Sequence, residues 1–461
     1  MFYHQGILLV EDYNMDNLSN IFKAYDVRGK VGSELTSGIV ERIGRAVATW
    51  LPQEGAIAVG RDMRPDSLEL TNALIAGLTS QGRDVWDIGQ VTSDMIYFTT
   101  GHFKLAGGLM ITASHNPGEY NGIKFCGQDA KPIGIESGLA EIRDLVNKSQ
   151  WLKPDNTGTI IQKDVTEDWI HHALSFVEIN KLKPLKIVID AGNGMAGKII
   201  PELEPYVPFD ITEMYFELDG TFPNHVANPI EPENIKDLIQ KVKSEKADAG
   251  VAFDGDGDRA VLIDEQGNAV SGTVMTALLA QYFLGHHPNN TILYNATCGW
   301  VVPETVQKLG GKSIRTKVGH SFIKADMRTY NAIFAGESSG HYYFKDNFNA
   351  DSGLIAALVA LQVLSNSGKK LSELTAEFNI YHHIPETNFE VASKDTVINR
   401  LTDVFVSYKQ DTLDGLTIWF EDAWVNVRPS NTESILRLNA EARSKESLNK
   451  IVEEVTKIIL G

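Results

Sequence analysis

Short apolar runs of strand length alternate with longer amphipathic stretches along most of the chain. Residues 56–60, 85–88 and Gly107–Ile111 are such runs. Between the first two, residues 67–82 carry Leu68, Leu70, Leu74, Ile75 and Leu78 at helical spacing. A second series starts at Lys186–Asp190 and continues through the run at 250–253. A third places strands at Thr291–Asn295 and 332–335, with helices at 302–309 and 321–330. Strand–helix–strand repetition predicts largely parallel sheets covered by helices. Near residue 381 the texture changes. Strands at 388–391, 416–420, 424–427 and 435–440 are flanked by helices at 395–408 and Lys445–Leu460, which is an α+β unit. Breaks near 147–158, 266–271 and 382–387 divide the chain into four units, at 1–155, 156–268, 269–381 and 382–461.

A length of 461 residues alone suggests about three domains, one fewer than the patterning gives. Residues 1–17 are expected to be a short extension before the first unit. The net charge of −18 argues against a nucleic-acid partner, whose phosphates demand clustered Lys and Arg. Cys126 and Cys298 cannot build a disulfide framework, and together with the lack of a signal-like start they predict a cytoplasmic protein. No apolar stretch approaches the ~18 residues a membrane span requires, so no membrane partner is expected.

Four loops carry candidate chemistry. In the segment Thr112-Ala-Ser-His-Asn-Pro-Gly-Glu-Tyr-Asn-Gly-Ile-Lys124, Ser114 follows the apolar run Gly107–Ile111, and Asn-Pro-Gly forces a turn after it. In Asp254-Gly-Asp-Gly-Asp258-Arg259 three carboxylates alternate with glycines, which let the oxygens converge on one hard cation, Mg²⁺ or Ca²⁺. Without a cation, three like charges so close would repel. An EF-hand is excluded because Arg259 stands at the sixth position, where glycine is required; Glu265, at the twelfth, is a turn residue beside Gln266-Gly267. The Asp258-Arg259 pair also sets a guanidinium beside the cation, able to hold a phosphate. Gly336-Glu-Ser-Ser-Gly-His341 groups a carboxylate, hydroxyls and an imidazole on a glycine-framed turn, a set suited to sugar hydroxyls. Arg428-Pro-Ser-Asn-Thr432 offers a guanidinium, hydroxyls, an amide and backbone N–H groups to an anion.

Other motifs fail. Gly192-Asn-Gly194-Met-Ala-Gly197 fits a dinucleotide fingerprint, but Pro201 and Pro205 argue against a long helix behind it. No Walker A loop exists, since Val306 stands where Gly311-Lys-Ser313 would need its leading glycine. Ser114 is not in a G-x-S-x-G elbow.

Taken jointly and in order, these loops resemble those of the α-D-phosphohexomutase superfamily, most closely bacterial phosphomannomutase/phosphoglucomutase. The resemblance runs from Phe22-Lys-Ala-Tyr-Asp-Val-Arg-Gly29 to the end of the chain. It implies an α/β fold of four domains, three related mixed α/β domains and a smaller C-terminal α+β domain, around a central cleft. It also implies reversible transfer of a phosphoryl group between the 1- and 6-positions of a mannose or glucose phosphate, through phosphorylated Ser114 and a hexose 1,6-bisphosphate. That bisphosphate would also serve as activator. Ser114, Asp254, Asp256 and Asp258 would hold one Mg²⁺. Arg259 would stand beside the phosphoserine, Lys124 and His115 would be active-site cations with Lys124 the acid–base group, and Arg28 and His320 would complete the catalytic set. Tyr25, Glu337, Ser339 and His341 would contact the sugar; Arg428, Ser430, Asn431 and Thr432 would grip the phosphate that stays in place. The partners implied are hexose phosphates, with a monomer or weak dimer as the assembly. Three positions depart from the pattern: Thr297 where Lys or Arg is common, Ser338 where methionine is expected, and Ser434 where proline is common. A phosphoglucosamine mutase and a Mg²⁺-dependent sugar phosphatase are the alternatives. Neither a nucleotide nor a nucleic acid is implied.

Overall fold

The computed structural model describes residues 18–52, 54–430 and 435–461. Four sheets follow one another along the chain, with seven, four, five and six strands. In the first, Ile57–Arg61 pairs in parallel with both Val85–Gln90 and Gly107–Ile111. The second pairs Lys186–Asp190 in parallel with Ala249–Phe253. The third pairs Thr291–Asn295 in parallel with Lys312–Thr316 and Phe334–Gly336. The fourth is antiparallel throughout, built on Leu416–Trp419, Ala423–Pro429 and Ile435–Ala442.

The expectation of largely parallel sheets misses one recurring device. Each of the first three sheets turns antiparallel at the strand after its parallel core: Tyr120–Gly127 returns along Gly107–Ile111, Ala260–Asp264 along Ala249–Phe253, and Tyr342–Phe344 along Phe334–Gly336. Each of the first three loops with candidate chemistry is the connection into such an antiparallel neighbour. An antiparallel return needs only a short loop, so the loop's residues are held at both ends by ladder hydrogen bonds. The strand Tyr120–Gly127 escapes sequence patterning because Asn121, Gly122 and Lys124 interrupt its apolar run, yet its residues from Asn121 onward are buried.

The helix after Gly192-Asn-Gly194 does form, at Ala196–Leu203, but with Pro201 inside it and a length of eight residues. The helices Ser93–His102 and Gly353–Ser367 lie almost wholly inside the molecule. With Trp169, Tyr342 and Phe344 they belong to one apolar core that runs through the first three units. The fourth unit has its own core, around Leu401, Ile418, Val425, Leu438 and Val455. Cys126 and Cys298 are buried free thiols. Among the described residues no helix is long and apolar enough to cross a membrane.

Candidate active site

Ser114 is buried and adopts φ +50°, the left-handed region that a residue with a side chain seldom occupies. Strain of this kind persists only when the surroundings impose it, and here they do. Thr112 Oγ1 accepts from the Ser114 N–H at 2.9 Å. The Ser114 carbonyl accepts from Arg64 Nη2 at 2.9 Å, and the same guanidinium donates to the carbonyls of Asn116, Pro117 and Tyr120. Asp62, paired with Arg64 at 3.2 Å, fixes that guanidinium. On the other side Gly255 presses on the loop: a Cβ there would lie 2.5 Å from the Ser114 carbonyl oxygen. Glycine at 255 therefore serves close approach of two backbones.

This contact joins the serine loop to the acidic loop. Ser114 Oγ donates to Asp254 Oδ2 at 2.8 Å. Asp254, Asp256 and Asp258 are all buried and each offers an oxygen within 4.8 Å of the others. Arg259 donates to Asp254 through Nε at 3.0 Å and through its backbone N–H at 3.1 Å, and its Nη2 stands 3.4 Å from Ser114 Oγ. Lys124 Nζ donates to Asp256 Oδ2 at 2.6 Å and Asp258 Oδ2 at 2.5 Å. Lys124 arrives there because its strand pairs with Asp26–Lys30, Asp26 opposite Lys124 and Arg28 opposite Gly122. Ser93, at the start of a buried helix, adds a hydroxyl to Asp256 Oδ2 at 2.5 Å. The second oxygen of Asp256 is buried without a hydrogen-bond partner, and that of Asp258 has only the imidazole of His341 near it, at 3.5 Å. Buried carboxylate oxygens so poorly satisfied, beside a third carboxylate, fit a hard divalent cation.

The electrostatics follow from that crowding. Burial, then the neighbouring Asp258, pushes the Asp254 carboxyl up to about 7. Burial would also raise Asp258, but Lys124 and His341 outweigh it and hold its carboxyl well below the usual range. Burial would lower Lys124, yet Asp256 and Asp258 outweigh it and keep the ammonium charged. The neighbours that govern its charge are thus carboxylates. The expectation of a cationic His115 is corrected. Burial, then Arg259 and Arg28, holds it well below the ordinary imidazole range, and Arg259 Nη2 donates to its Nδ1. Arg28 reaches the serine loop by donating to Asn116 Oδ1 at 2.6 Å while Asp26 braces it at 2.5 Å.

The third unit closes on this corner. His341 Nε2 lies 3.5 Å from Asp258 Oδ1. Burial would lower His341, but Asp258 outweighs it and raises the imidazole. Ser339 Oγ is 3.1 Å from His341 Nδ1. Glu337 is buried and accepts from Tyr343 Oη at 2.5 Å, Asn295 Nδ2 at 3.1 Å and the Gly319 N–H at 3.3 Å. Tyr25 donates to the Val318 carbonyl at 3.2 Å and packs edge-on against His320 at 5.4 Å. His320 is held well below its ordinary pKa by burial and by Lys324 and Lys124.

The fourth loop is reached through the 317–320 turn. Asp414 accepts from the Val318 N–H at 3.0 Å, and a Cβ on the adjoining Gly415 would lie 2.5 Å from the Arg428 Cα. Arg428 Nη2 donates to Glu386 Oε2 at 2.7 Å, and Arg437 and Asn439 donate to the same carboxylate. Ser430 is buried; Asn431, Thr432 and Ser434 lie outside the described residues.

The residues that sequence reasoning missed are supporting ones: Asp62, Arg64, Ser93, Asn295, Tyr343 and Glu386. Asp62 and Arg64 had a readable signal, charges packed directly after an apolar strand. Ser93, Asn295 and Glu386 had none, because each acts across 42 residues or more, and Tyr343 reads as an ordinary apolar strand residue.

Four domain models of the phosphoglucomutase/phosphomannomutase family match the chain: alpha/beta/alpha domain I over residues 19–153, domain II over 167–267, domain III over 271–381 and the C-terminal domain over 386–458. A curated relative described as phosphohexose mutases, from Xanthomonas campestris pv. campestris, is 39% identical over 444 residues, covering 95% of this chain and 99% of that protein. A phosphomannomutase from Vibrio cholerae is 38% identical over 455 residues, covering 95% and 98%. The crystal structure of a phosphoglucomutase/phosphomannomutase family protein from Burkholderia thailandensis superposes with a TM-score of 0.88 at 31% identity, covering 95% and 96%.

Proposed function

The chain belongs to the phosphoglucomutase/phosphomannomutase family and is a phosphohexose mutase, and from that premise we propose that Ser114 carries the phosphoryl group which it exchanges with mannose or glucose phosphates. The observation that carries this reading is the Ser114 hydroxyl, held in a strained backbone conformation between Asp254 and Arg259. In the first half-reaction the phosphoserine P–O bond breaks. A new P–O bond forms to the free hydroxyl of a hexose 6-phosphate or 1-phosphate, and that hydroxyl loses its proton. The hexose 1,6-bisphosphate turns over in the site. Its other phosphoryl group then passes to Ser114 Oγ, and the sugar oxygen it leaves regains a proton.

Asp254, Asp256 and Asp258, with a phosphoserine oxygen, would hold Mg²⁺, which when bound offsets the charge on the transferred phosphoryl group. Arg259, beside both Asp254 and Ser114, adds a guanidinium to the same charge. Lys124 is proposed as the acid–base group: as the ammonium it would give a proton to the sugar oxygen that is left, and only as the neutral amine would it take one from the attacking hydroxyl. Burial favours its neutral form, and Asp256 and Asp258 are what keep it charged. Glu337, Ser339 and His341 would orient the sugar. Arg428 and Ser430, with Asn431 and Thr432, would grip the phosphate that stays in place. Mutual burial of the loops supports exclusion of water, without which the phosphoserine and the bisphosphate would be hydrolysed. The four units, at 1–155, 156–268, 269–381 and 382–461, would each contribute one loop.

Ser114→Ala is expected to lower conversion of mannose 1-phosphate to the 6-phosphate by at least about 10³-fold. The freshly purified wild-type protein should show, by intact mass, a fraction carrying one phosphate that the variant lacks. Undiminished turnover in Ser114→Ala would remove the serine from the mechanism.

A further inference from the structure

The sugar loop contains a run of hydrogen bonds whose direction is fixed from one end. Glu337 already accepts from Tyr343 and Gly319, and a carboxylate can only accept. Asn295 must therefore turn its amide nitrogen to Glu337, at 3.1 Å, and its carbonyl oxygen the other way. That oxygen lies 3.1 Å from Thr297 Oγ1, and since it too can only accept, Thr297 spends its single proton on it. Ser338 Oγ is 2.6 Å from Thr297 Oγ1. With the Thr297 proton committed, Ser338 is the donor of that pair. Its own proton is then used inward, and what it offers outward is lone pairs.

Asn295 and Thr297 are buried, whereas Ser338 is half-buried, so the run that starts at Glu337 ends at a more exposed hydroxyl. The loop is also pinned. A Cβ on Gly272 would lie 2.4 Å from the Ser338 carbonyl oxygen, and one on Gly336 would lie 2.2 Å from Thr276 Oγ1. The backbone that carries Ser338 is therefore not free to re-aim the hydroxyl.

We infer that Ser338, oriented by Thr297, is a specificity-determining hydrogen-bond acceptor that selects hexose phosphates presenting a ring hydroxyl at its position. This rests on the hexose phosphate mutase reading. The pair is uncharged, so it suits a sugar hydroxyl and gives no charge-assisted hold on a phosphate. It discriminates against a sugar whose group at that position lacks a proton to donate, because the lone pairs of Ser338 are then desolvated without a partner. Thr297 is a positioning residue in this scheme: it touches Ser338, and Ser338 touches the sugar.

The test compares kcat/KM for mannose 1-phosphate and for its 2-, 3- and 4-deoxy analogues in the wild-type protein, Ser338→Ala and Thr297→Val. Ser338→Ala should lose about fivefold to tenfold on mannose 1-phosphate and on all but one analogue. The exception, the analogue lacking the hydroxyl that Ser338 reads, should be turned over equally by wild type and variant. Thr297→Val should show the same exception with a smaller loss, while its melting temperature stays near that of the wild type. Equal losses on every analogue, or no loss on mannose 1-phosphate, would overturn the proposal with the parent function intact. A wild-type protein that turns over no hexose phosphate would instead overturn the parent reading, and this one with it.

Discussion

The corner built on Ser114 and the grip built on Arg428 are held in opposite ways. At Ser114 the groups that matter are buried, and each is fixed by several partners from distant parts of the chain: Arg64 on four carbonyls, Ser93 on Asp256, and the Gly255 backbone against the Ser114 carbonyl. Among the described residues, the carboxylate that holds Arg428 is Glu386, and its side chain is 33% exposed. The first arrangement suits a charge that must meet fixed dipoles at the moment of transfer. The second suits a site that opens. Glu386 occupies the guanidinium as an anion would, and in the proposed role a phosphate would exchange with it. Core packing repeats the contrast, since the first three units share one apolar core and the fourth has its own.

Among changes that touch no reacting group, the largest expected effect breaks the fixed corner. Gly255→Ala sets a methyl group 2.5 Å from a backbone oxygen that cannot swing aside. Turnover should fall about 10²-fold through misplacement of Ser114, with a stability loss of about 1–3 kcal/mol by denaturant titration. An unchanged kcat would mean that the two backbones can part freely. Arg428→Ala should act on the other region: KM for the hexose phosphate rises about tenfold, with a smaller change in kcat and no change in affinity for the divalent ion. A loss confined to kcat would place Arg428 with the fixed corner instead.

The smallest effect concerns acid. Burial would raise the Glu386 carboxyl, but Arg428, Asn439 and Arg437 outweigh it and hold its pKa below the ordinary 4.5. A carboxyl lowered on folding contributes stability that is fully present above its unfolded pKa. That contribution is lost as pH falls from about 4.5 through the lower folded value. Glu386→Gln should remove this part of the acid dependence in thermal melts, leaving the Ser114 corner unaffected. Identical melting profiles for variant and wild type would show that Glu386 contributes nothing there.

The two regions were also unequally legible before folding. The three-aspartate loop could be read outright, because charges alternating with glycines have few other uses and Asp254, Asp256 and Asp258 need only their own loop to converge. Arg428 could be read as an anion group, yet nothing near it in sequence pointed to Glu386, 42 residues earlier. The strand Tyr120–Gly127 hid behind its polar residues, since Asn121 and Lys124 are buried by partners that periodicity does not see. The charge state of His115 was misread for the same reason, since Arg259 and Arg28, which hold its pKa down, come from other segments.

By itself the sequence determined the alternation of strands and helices, the glycine-framed loops and their order, and so the fold and the chemistry each loop can offer. These follow from local patterning and from side-chain type. Only the tertiary structure decided which loops touch: that Ser114 faces Asp254, that Lys124 pairs with Asp256 and Asp258, and that Thr297 orients Ser338. Such contacts join residues up to 140 positions apart. Burial then sets which partner governs each charge and each proton, a property of the packed ensemble of side chains rather than of any segment.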